Sequence, residues 1–284
     1  MRNITLGTVG LRLPAEGEAP LRSVQDRFAE AQPLIEEAGR RKVDFLCLPE
    51  YFSTHGVMED GMAAPETVPH GPVSAYCSRM AKEHRLNLVT TLRTGREGRT
   101  YNTAVIFNRR GELAGTYDKV YPTNGENNCG GGSIPVFKVD GVCVGMQICF
   151  DLNFPEGCRA LGVQGADIIF WPTMWTGPTA HFIDCIMRTR AMENFCFLVA
   201  SGYVRYGSSM RERSISPCAI VGWDGCILAQ TGTRAGLAVA TVDVDEKRVL
   251  QGSREEHFAQ RRPECYGILS RPRPDQAQER FLTG

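Results

Sequence analysis

The chain has 284 residues, of which 42% are hydrophobic, with 32 Lys+Arg against 32 Asp+Glu. That length and composition allow one large domain with a substantial buried core, and the balanced charge supplies no global field to draw in nucleic acid or an anionic membrane. No apolar stretch approaches the roughly 18 residues of a membrane span, and the start, Met1-Arg2-Asn3-Ile4-Thr5-Leu6-Gly7, lacks the long apolar run of a secretory leader.

In chain order, residues 4–9 predict a strand. Residues 21–39 carry Val24, Phe28, Ala31, Leu34, Ile35 and Ala38 at helical spacing, with Gly39 as the stop. Residues 43–48 form an apolar strand interrupted only by Asp44. A helix over 72–84 and a strand over 86–92 follow. Residues 101–108 and 112–117 predict a hairpin about Arg109-Arg110-Gly111, and 135–139 and 142–148 a second hairpin about Asp140-Gly141. Next come a helix over 155–162, a strand over 167–171, a helix over 180–194 and a strand over 195–201. Strands over 214–221 and 226–230 flank Trp223-Asp224-Gly225, and 237–242 is the last strand. Residues 251–284, rich in Arg, Pro and Gln, are expected as an extended tail on a core of about 3–250. Helices alternating with strands and hairpins predict a mixed α/β fold with helices covering the sheet faces, and no Ser/Gly linker divides the chain.

Eleven cysteines are an odd number scattered along the chain, and Cys47, Cys143, Cys196 and Cys218 lie in apolar runs. They are expected as free thiols of a reducing cytoplasm, not as a disulfide framework. There is no C-x-x-C pair and no Cys/His cluster of zinc spacing, so no metal is expected. Cys143, Cys185 and Cys196 are read as small buried hydrophobes, and Cys129 as a loop thiol. Gly130-Gly131-Gly132 lacks the Lys-Ser/Thr ending of a phosphate loop.

Cys149 has the best-defined chemical setting. The run Val142-Cys143-Val144-Gly145-Met146-Gln147-Ile148 delivers it to a sharp turn where a helix can begin, and open α/β folds place their sites at such carboxyl ends of strands. Glu50 ends the strand Val43-Asp44-Phe45-Leu46-Cys47-Leu48-Pro49, and Lys119 follows Tyr117-Asp118. If these strand ends converge, they supply a nucleophile, a base and a cation. A carboxylate can take the thiol proton and return it to a leaving amine. The thiolate can form an acyl-enzyme that water then cleaves, and an ammonium with a backbone N–H can hold the oxyanion. A free thiol titrates near about 8.5, so at neutral pH it needs that help.

Leu48-Pro49-Glu50, Asp118-Lys119-Val120-Tyr121-Pro122 and Cys149-Phe150-Asp151-Leu152-Asn153-Phe154-Pro155-Glu156 resemble the three signature blocks of the nitrilase superfamily of carbon–nitrogen hydrolases, and Arg190-Ala191-Met192-Glu193-Asn194 resembles a fourth. The resemblance implies a four-layer α-β-β-α sandwich with two mixed β-sheets, and homodimers or higher homo-oligomers. It implies Glu50 as general base, Lys119 as oxyanion-stabilising cation and Cys149 as nucleophile, with the Phe150 N–H as a second oxyanion donor and Glu126 as the acid that holds the lysine. Many relatives have His where this chain has Tyr121, which cannot carry charge near neutrality.

Tyr121, Thr173, Met174 and Trp175 are candidate substrate contacts, with Trp171-Pro172 leading into them. Asp151 and Glu156 are read as caps that fix the turn, and Arg190 with Glu193 as an ion pair under the site. His55 and His181 are read as structural. Arg188, Arg190 and Arg205 suit either a substrate carboxylate or structural pairs. The expected activity is a cytoplasmic thiol amidohydrolase, without metal or organic cofactor, that releases ammonia from a small linear amide or N-carbamoyl compound. The alternatives are a nitrilase, in which Trp-Glu usually follows the Cys where this chain has Phe150-Asp151, and a silent oligomeric binding protein of the same fold.

Overall fold

The computed structural model describes residues 2–14, 17–57, 64–175, 180–205, 214–215, 217–232, 234–246 and 254–271. The first half of the chain forms β1 (Asn3–Leu13), α1 (Val24–Arg40), β2 (Phe45–Cys47), α2 (Pro72–His84), β3 (Asn87–Arg96), β4 (Arg99–Phe107) and β5 (Leu113–Asp118). Then come β6 (Val136–Val139), β7 (Val142–Met146), α3 (Pro155–Val163), β8 (Ile168–Pro172), α4 (Ala180–Asn194) and β9 (Phe197–Ser201). The remaining elements are β10 (Tyr203–Arg205), β11 (Ser214–Ile215), β12 (Ala219–Val221), β13 (Ile227–Gln230), β14 (Gly236–Asp243) and a short α5 (Arg254–Ala259).

Period-two alternation along the strands builds the layers. Phe45 and Cys47 enter one apolar cluster while Leu46 and Leu48 enter another, and Val89 and Leu88 divide in the same way. In the other sheet Ile168 and Phe170 face the first of these clusters, while Ile169 and Trp171 face a third. Strands buried on both faces carry this double signal as a continuous apolar run. One cluster joins α1 and α2 to the first sheet, one fills the space between the sheets, and one joins α3 and α4 to the second sheet. The result is the expected four-layer α-β-β-α sandwich.

The first sheet has the order β11-β10-β1-β2-β3-β4-β5, with β14 also pairing β1; the second is β13-β12-β9-β8-β7-β6. Both are mixed. β1, β2 and β3 are parallel, as are β7, β8 and β9, while the outer pairings β3–β4, β4–β5, β6–β7 and β9–β12 are antiparallel. Two antiparallel steps separate β5 from β3, so β5 runs in the sense of β2. The carboxyl ends of β2 and β5 therefore lie along one edge of their sheet.

Three expectations change. The strand over 214–221 is split between sheets, because β11 pairs β10 in the first and β12 pairs β9 in the second, and Pro217 between them has no N–H to continue a ladder. The tail is not wholly extended: α5 and a 3-10 turn at Pro263–Ser270 form within it, and Phe258 packs near Phe195 with the Arg159 guanidinium over its ring. Cys185 is exposed and Cys143 half-buried, whereas Cys196 is buried as expected.

Candidate active site

The thiol is presented by backbone geometry. Val142, Val144 and Met146 of β7 anchor into the inter-sheet cluster, and Gly145 lets α3 approach, since a Cβ there would lie 2.7 Å from Leu161. The chain then turns through Cys149 at φ +43°, the left-handed region that a side chain with a Cβ disfavours. A 3-10 turn at Cys149–Asn153 follows, then α3. Two interactions hold this strained residue. The Trp171 indole donates to the Cys149 carbonyl at 2.9 Å. The buried Asp151 carboxylate accepts from the Ile148 N–H at 2.9 Å, the Tyr117 hydroxyl at 2.7 Å and the Tyr121 N–H at 2.9 Å. Asp151 thus ties the segment around Lys119 to the turn around Cys149. Arg190 supports the same turn from α4, donating to the Leu152 carbonyl at 3.2 Å and pairing with Glu193 at 3.0 Å.

Lys119, Glu50 and Glu126 meet beside this turn. Lys119 is buried, and its ammonium contacts Glu50 Oε1 at 3.1 Å and Glu126 Oε1 at hydrogen-bond range. Glu126 also accepts from the Thr123 N–H at 3.1 Å and the Thr123 hydroxyl at 2.9 Å. Glu50 Oε2 accepts from the Met174 N–H at 2.9 Å, and the Glu50 carbonyl accepts from the Tyr203 hydroxyl at 2.7 Å. The Gly130-Gly131-Gly132 run has a packing role here. The Gly131 N–H donates to the Lys119 carbonyl at 2.8 Å, and a Cβ on Gly131 would fall 2.2 Å from the Asp118 carbonyl oxygen.

The electrostatics separate the four groups. Burial pushes the Cys149 thiol up to about 12, and Glu50 adds to the rise; Lys119, the Thr173 hydroxyl and the Met174 N–H offset part of it. The resting group is therefore a thiol, carried by a residue that is half-buried as a whole. Burial opposes the Lys119 charge, but Glu50, Cys149 and Glu126 hold the ammonium above the usual lysine range. Burial opposes the Glu126 charge as well, yet Lys119, Thr123 and Asn102 hold that carboxylate below the ordinary glutamate range. Burial raises Asp151 to about 6, against its three donors and Lys119.

Most of the other candidate residues are also near. Thr173 is buried, its hydroxyl reaching the Cys149 sulfur and accepting from the Trp175 N–H at 3.0 Å. The Met174 N–H donates to Glu50 Oε2 and lies near enough to the sulfur to favour the thiolate. The Tyr121 ring stacks on Phe154 at 3.6 Å, and Phe150 meets Phe154 edge-on at 5.6 Å. Trp171 is fully buried core and Trp175 lies against its edge. Arg188 is engaged with Asp184 and the Gly225 carbonyl, which makes it, like Arg190, a structural pair. The side chains of Arg205 and His181 lie outside the described residues. Glu156 sits exposed in the first turn of α3, where the helix dipole favours it. His55 packs edge-on against Tyr203. Among the described residues no group of three or more His, Cys, Asp or Glu side chains is gathered as a metal-binding set.

The sequence reading missed Asn102. It lies mid-strand in β4, fully buried, and donates to Glu50 Oε1 at 2.8 Å and to Glu126 Oε2 at 3.1 Å. The only signal for it was an amide side chain in an otherwise apolar and Thr-rich strand.

Residues 15–250 match the family described as carbon–nitrogen hydrolase. The chain belongs to that family, and it is an enzyme of the nitrilase-superfamily, amidase-like class. It is 28% identical over 213 residues to a probable nitrilase of Schizosaccharomyces pombe, covering 73% of this chain and 78% of that one. It is 27% identical over 249 residues to a deaminated glutathione amidase of Synechocystis sp., covering 81% and 90%. Its fold matches the crystal structure of an amidase from Nesterenkonia sp. at a TM-score of 0.73 and 21% identity, covering 94% of this chain and 96% of that one. Among the described residues no helix is long and apolar enough to cross a membrane.

Proposed function

We propose that the chain is a thiol amidohydrolase that cleaves the C–N bond of a small linear amide or N-carbamoyl compound through a thioester. One observation carries this reading: an ammonium held between two carboxylates lies beside the thiol of a half-buried cysteine on a strained turn. Glu50 is the base and Glu126 the permanent counter-ion of Lys119. Glu126 uses its oxygens on Lys119, Thr123 and Asn102, whereas among the described residues Glu50 Oε2 accepts only from the Met174 N–H, which lies near the sulfur.

The steps balance without another reagent. The Cys149 proton passes to Glu50 as the sulfur attacks the carbonyl carbon, breaking its π bond. The oxyanion is held by Lys119 and the Phe150 N–H, each such donor contributing roughly 3 kcal/mol to the barrier reduction. Collapse expels the amine, which takes the proton from Glu50 and leaves as ammonia. Water then adds to the thioester, giving its proton to Glu50, and the acid departs as the proton returns to sulfur. An N-carbamoyl substrate would release carbon dioxide as well. Thr173 and Met174 position the sulfur and the reacting carbonyl, while Tyr121 with Phe154, and Trp175, offer aromatic surface to the rest of the substrate.

An ammonia-release screen over aliphatic amides, ω-amides, N-carbamoyl amino acids and N-carbamoyl amines, run beside nitriles, tests the reading. Turnover is expected with an amide or carbamoyl compound. The Cys149→Ala variant is expected to lose it while keeping its circular dichroism spectrum, because only one sulfur is removed. Acid formed from nitriles alone would make the protein a nitrilase, and residual amide turnover within tenfold of the parent would remove Cys149 from the mechanism.

A further inference from the structure

Asn102 has no part in the steps above, yet it touches both carboxylates. Its two amide hydrogens go to Glu50 Oε1 and Glu126 Oε2. Their orientation is fixed by the partners, because a flipped amide would set its carbonyl against two anions. Its backbone carbonyl accepts from the Lys119 N–H at 2.9 Å, so the same residue holds the lysine segment from the main chain. Its side-chain oxygen Oδ1 is buried without a hydrogen-bond partner.

The contacts close a ring. Lys119 Nζ bonds Glu50 Oε1, Glu50 Oε1 bonds Asn102 Nδ2, Asn102 Nδ2 bonds Glu126 Oε2, and Glu126 Oε1 bonds Lys119 Nζ. Two carboxylates around one cation carry a net negative charge, and like charges so close repel. Inside the ring, each carboxylate has a donor besides the shared ammonium. The ring also occupies Glu50 Oε1 and leaves Oε2 on the side of the Met174 N–H and the sulfur.

We propose that Asn102 is a positioning residue that holds Glu50 with Oε2 turned toward Cys149 by sharing its amide hydrogens between Glu50 and Glu126. The proposal rests on Glu50 being the base. Substrate need not be known to test it, because iodoacetamide alkylates Cys149 itself and the rate at which it does so reports how readily the thiol loses its proton.

The experiment measures alkylation of the Cys149 peptide by mass spectrometry from pH 5 to 10, using the full chain as parent, Glu50→Gln, Asn102→Ala and Asn102→Asp. Circular dichroism at each pH corrects for the folded fraction. Glu50→Gln is expected to slow alkylation about 100-fold at pH 7. Asn102→Ala is expected to slow alkylation about tenfold at pH 7, the effect of losing one hydrogen bond that holds the base toward the sulfur. Asn102→Asp keeps the shape but replaces the donor with a third acid. Its rate is expected to fall at least about tenfold at pH 8 and to recover relative to the parent as the pH drops and the new acid becomes a donor.

Should Asn102→Ala not fold, the isosteric Asp variant decides by that recovery. If both variants alkylate within about twofold of the parent across the pH range while Glu50→Gln is slow, the role given to Asn102 is overturned. If Glu50→Gln alkylates like the parent, the assignment of Glu50 as base falls, and the inference with it.

Discussion

Lys119 is a cation with almost no water around it, and Glu50 and Glu126 replace that water. Taking one partner from a buried charge group is far more damaging than the group's net worth, because the remaining charges stay desolvated. Lys119→Ala would leave two carboxylates facing each other. The expected cost is about 3–5 kcal/mol of stability near neutrality, with turnover reduced about 10²–10³-fold through loss of an oxyanion donor. The sign with pH follows from the charges. Without the cation, burial and mutual repulsion raise carboxylate titration in the folded state above its unfolded value, so the deficit is smallest at low pH and grows as pH rises. Urea unfolding of parent and variant at pH 5 and pH 8 checks this; an equal gap at both would mean that the carboxylates are not coupled through Lys119. At this scale Glu50, Lys119 and Cys149 were legible because each follows a strand with a recognisable block around it. Asn102 was not, because a single amide inside a strand carries no positional marker until the partner strands are known.

The turn that carries Cys149 is an element in its own right, and Asp151 is its keystone. It accepts three hydrogen bonds from two segments about 30 residues apart in sequence. Asp151→Asn conserves shape but turns an NH2 toward at least one donor. The expected loss is roughly 1–3 kcal/mol for the unsatisfied group, with kcat falling at least about tenfold while KM changes little.

The pH dependence of stability has a definite sign. Asp151 titrates near about 6 in the fold, above the ordinary aspartate value of 3.8. Its contribution is therefore fully present below about 4 and is lost as pH rises through about 6. The groups that face it are Tyr117, Lys119 and Tyr121 from β5 and the loop after it, and Cys158 from α3. Chemical denaturation between pH 4 and 7 should show this downward slope in the parent, superimposed on the opposite contribution of Glu126, and should lack it in Asp151→Asn. Identical slopes would take Asp151 out of that titration. Most elements were legible in the sequence, with boundaries displaced by a few residues. β1 runs on to Leu13 because its end pairs β10 after β2 has stopped. The split of residues 214–221 was not legible, because apolar residues on both sides of Pro217 look alike until two sheets are available to receive them.

Across the whole molecule, the proposed function depends on two sheets delivering side chains to one edge. Glu50, Lys119, Glu126 and Asn102 come from the first sheet and the loops after it, while Cys149, Thr173 and Met174 follow strands of the second. The inter-sheet cluster of Phe45, Val89, Ile106, Val144, Ile168 and Phe170 sets the spacing between them. The layered architecture was legible from runs of apolar residues alternating with helices. The part of the tail that folds was not, because Phe258 meets Phe195 and Arg159 only once α3 and the turn into β9 are in place.

The central claim is that the sulfur of Cys149 carries the acyl group. Mixing the protein with an amide that it hydrolyses, quenching in acid within milliseconds to seconds, and measuring intact and peptide mass tests this directly. The account predicts an added acyl mass on the peptide containing Cys149, removed by hydroxylamine and absent from Cys149→Ala. Steady product formation with that peptide unmodified at every quench time, and with Cys149→Ala equally active, would contradict it.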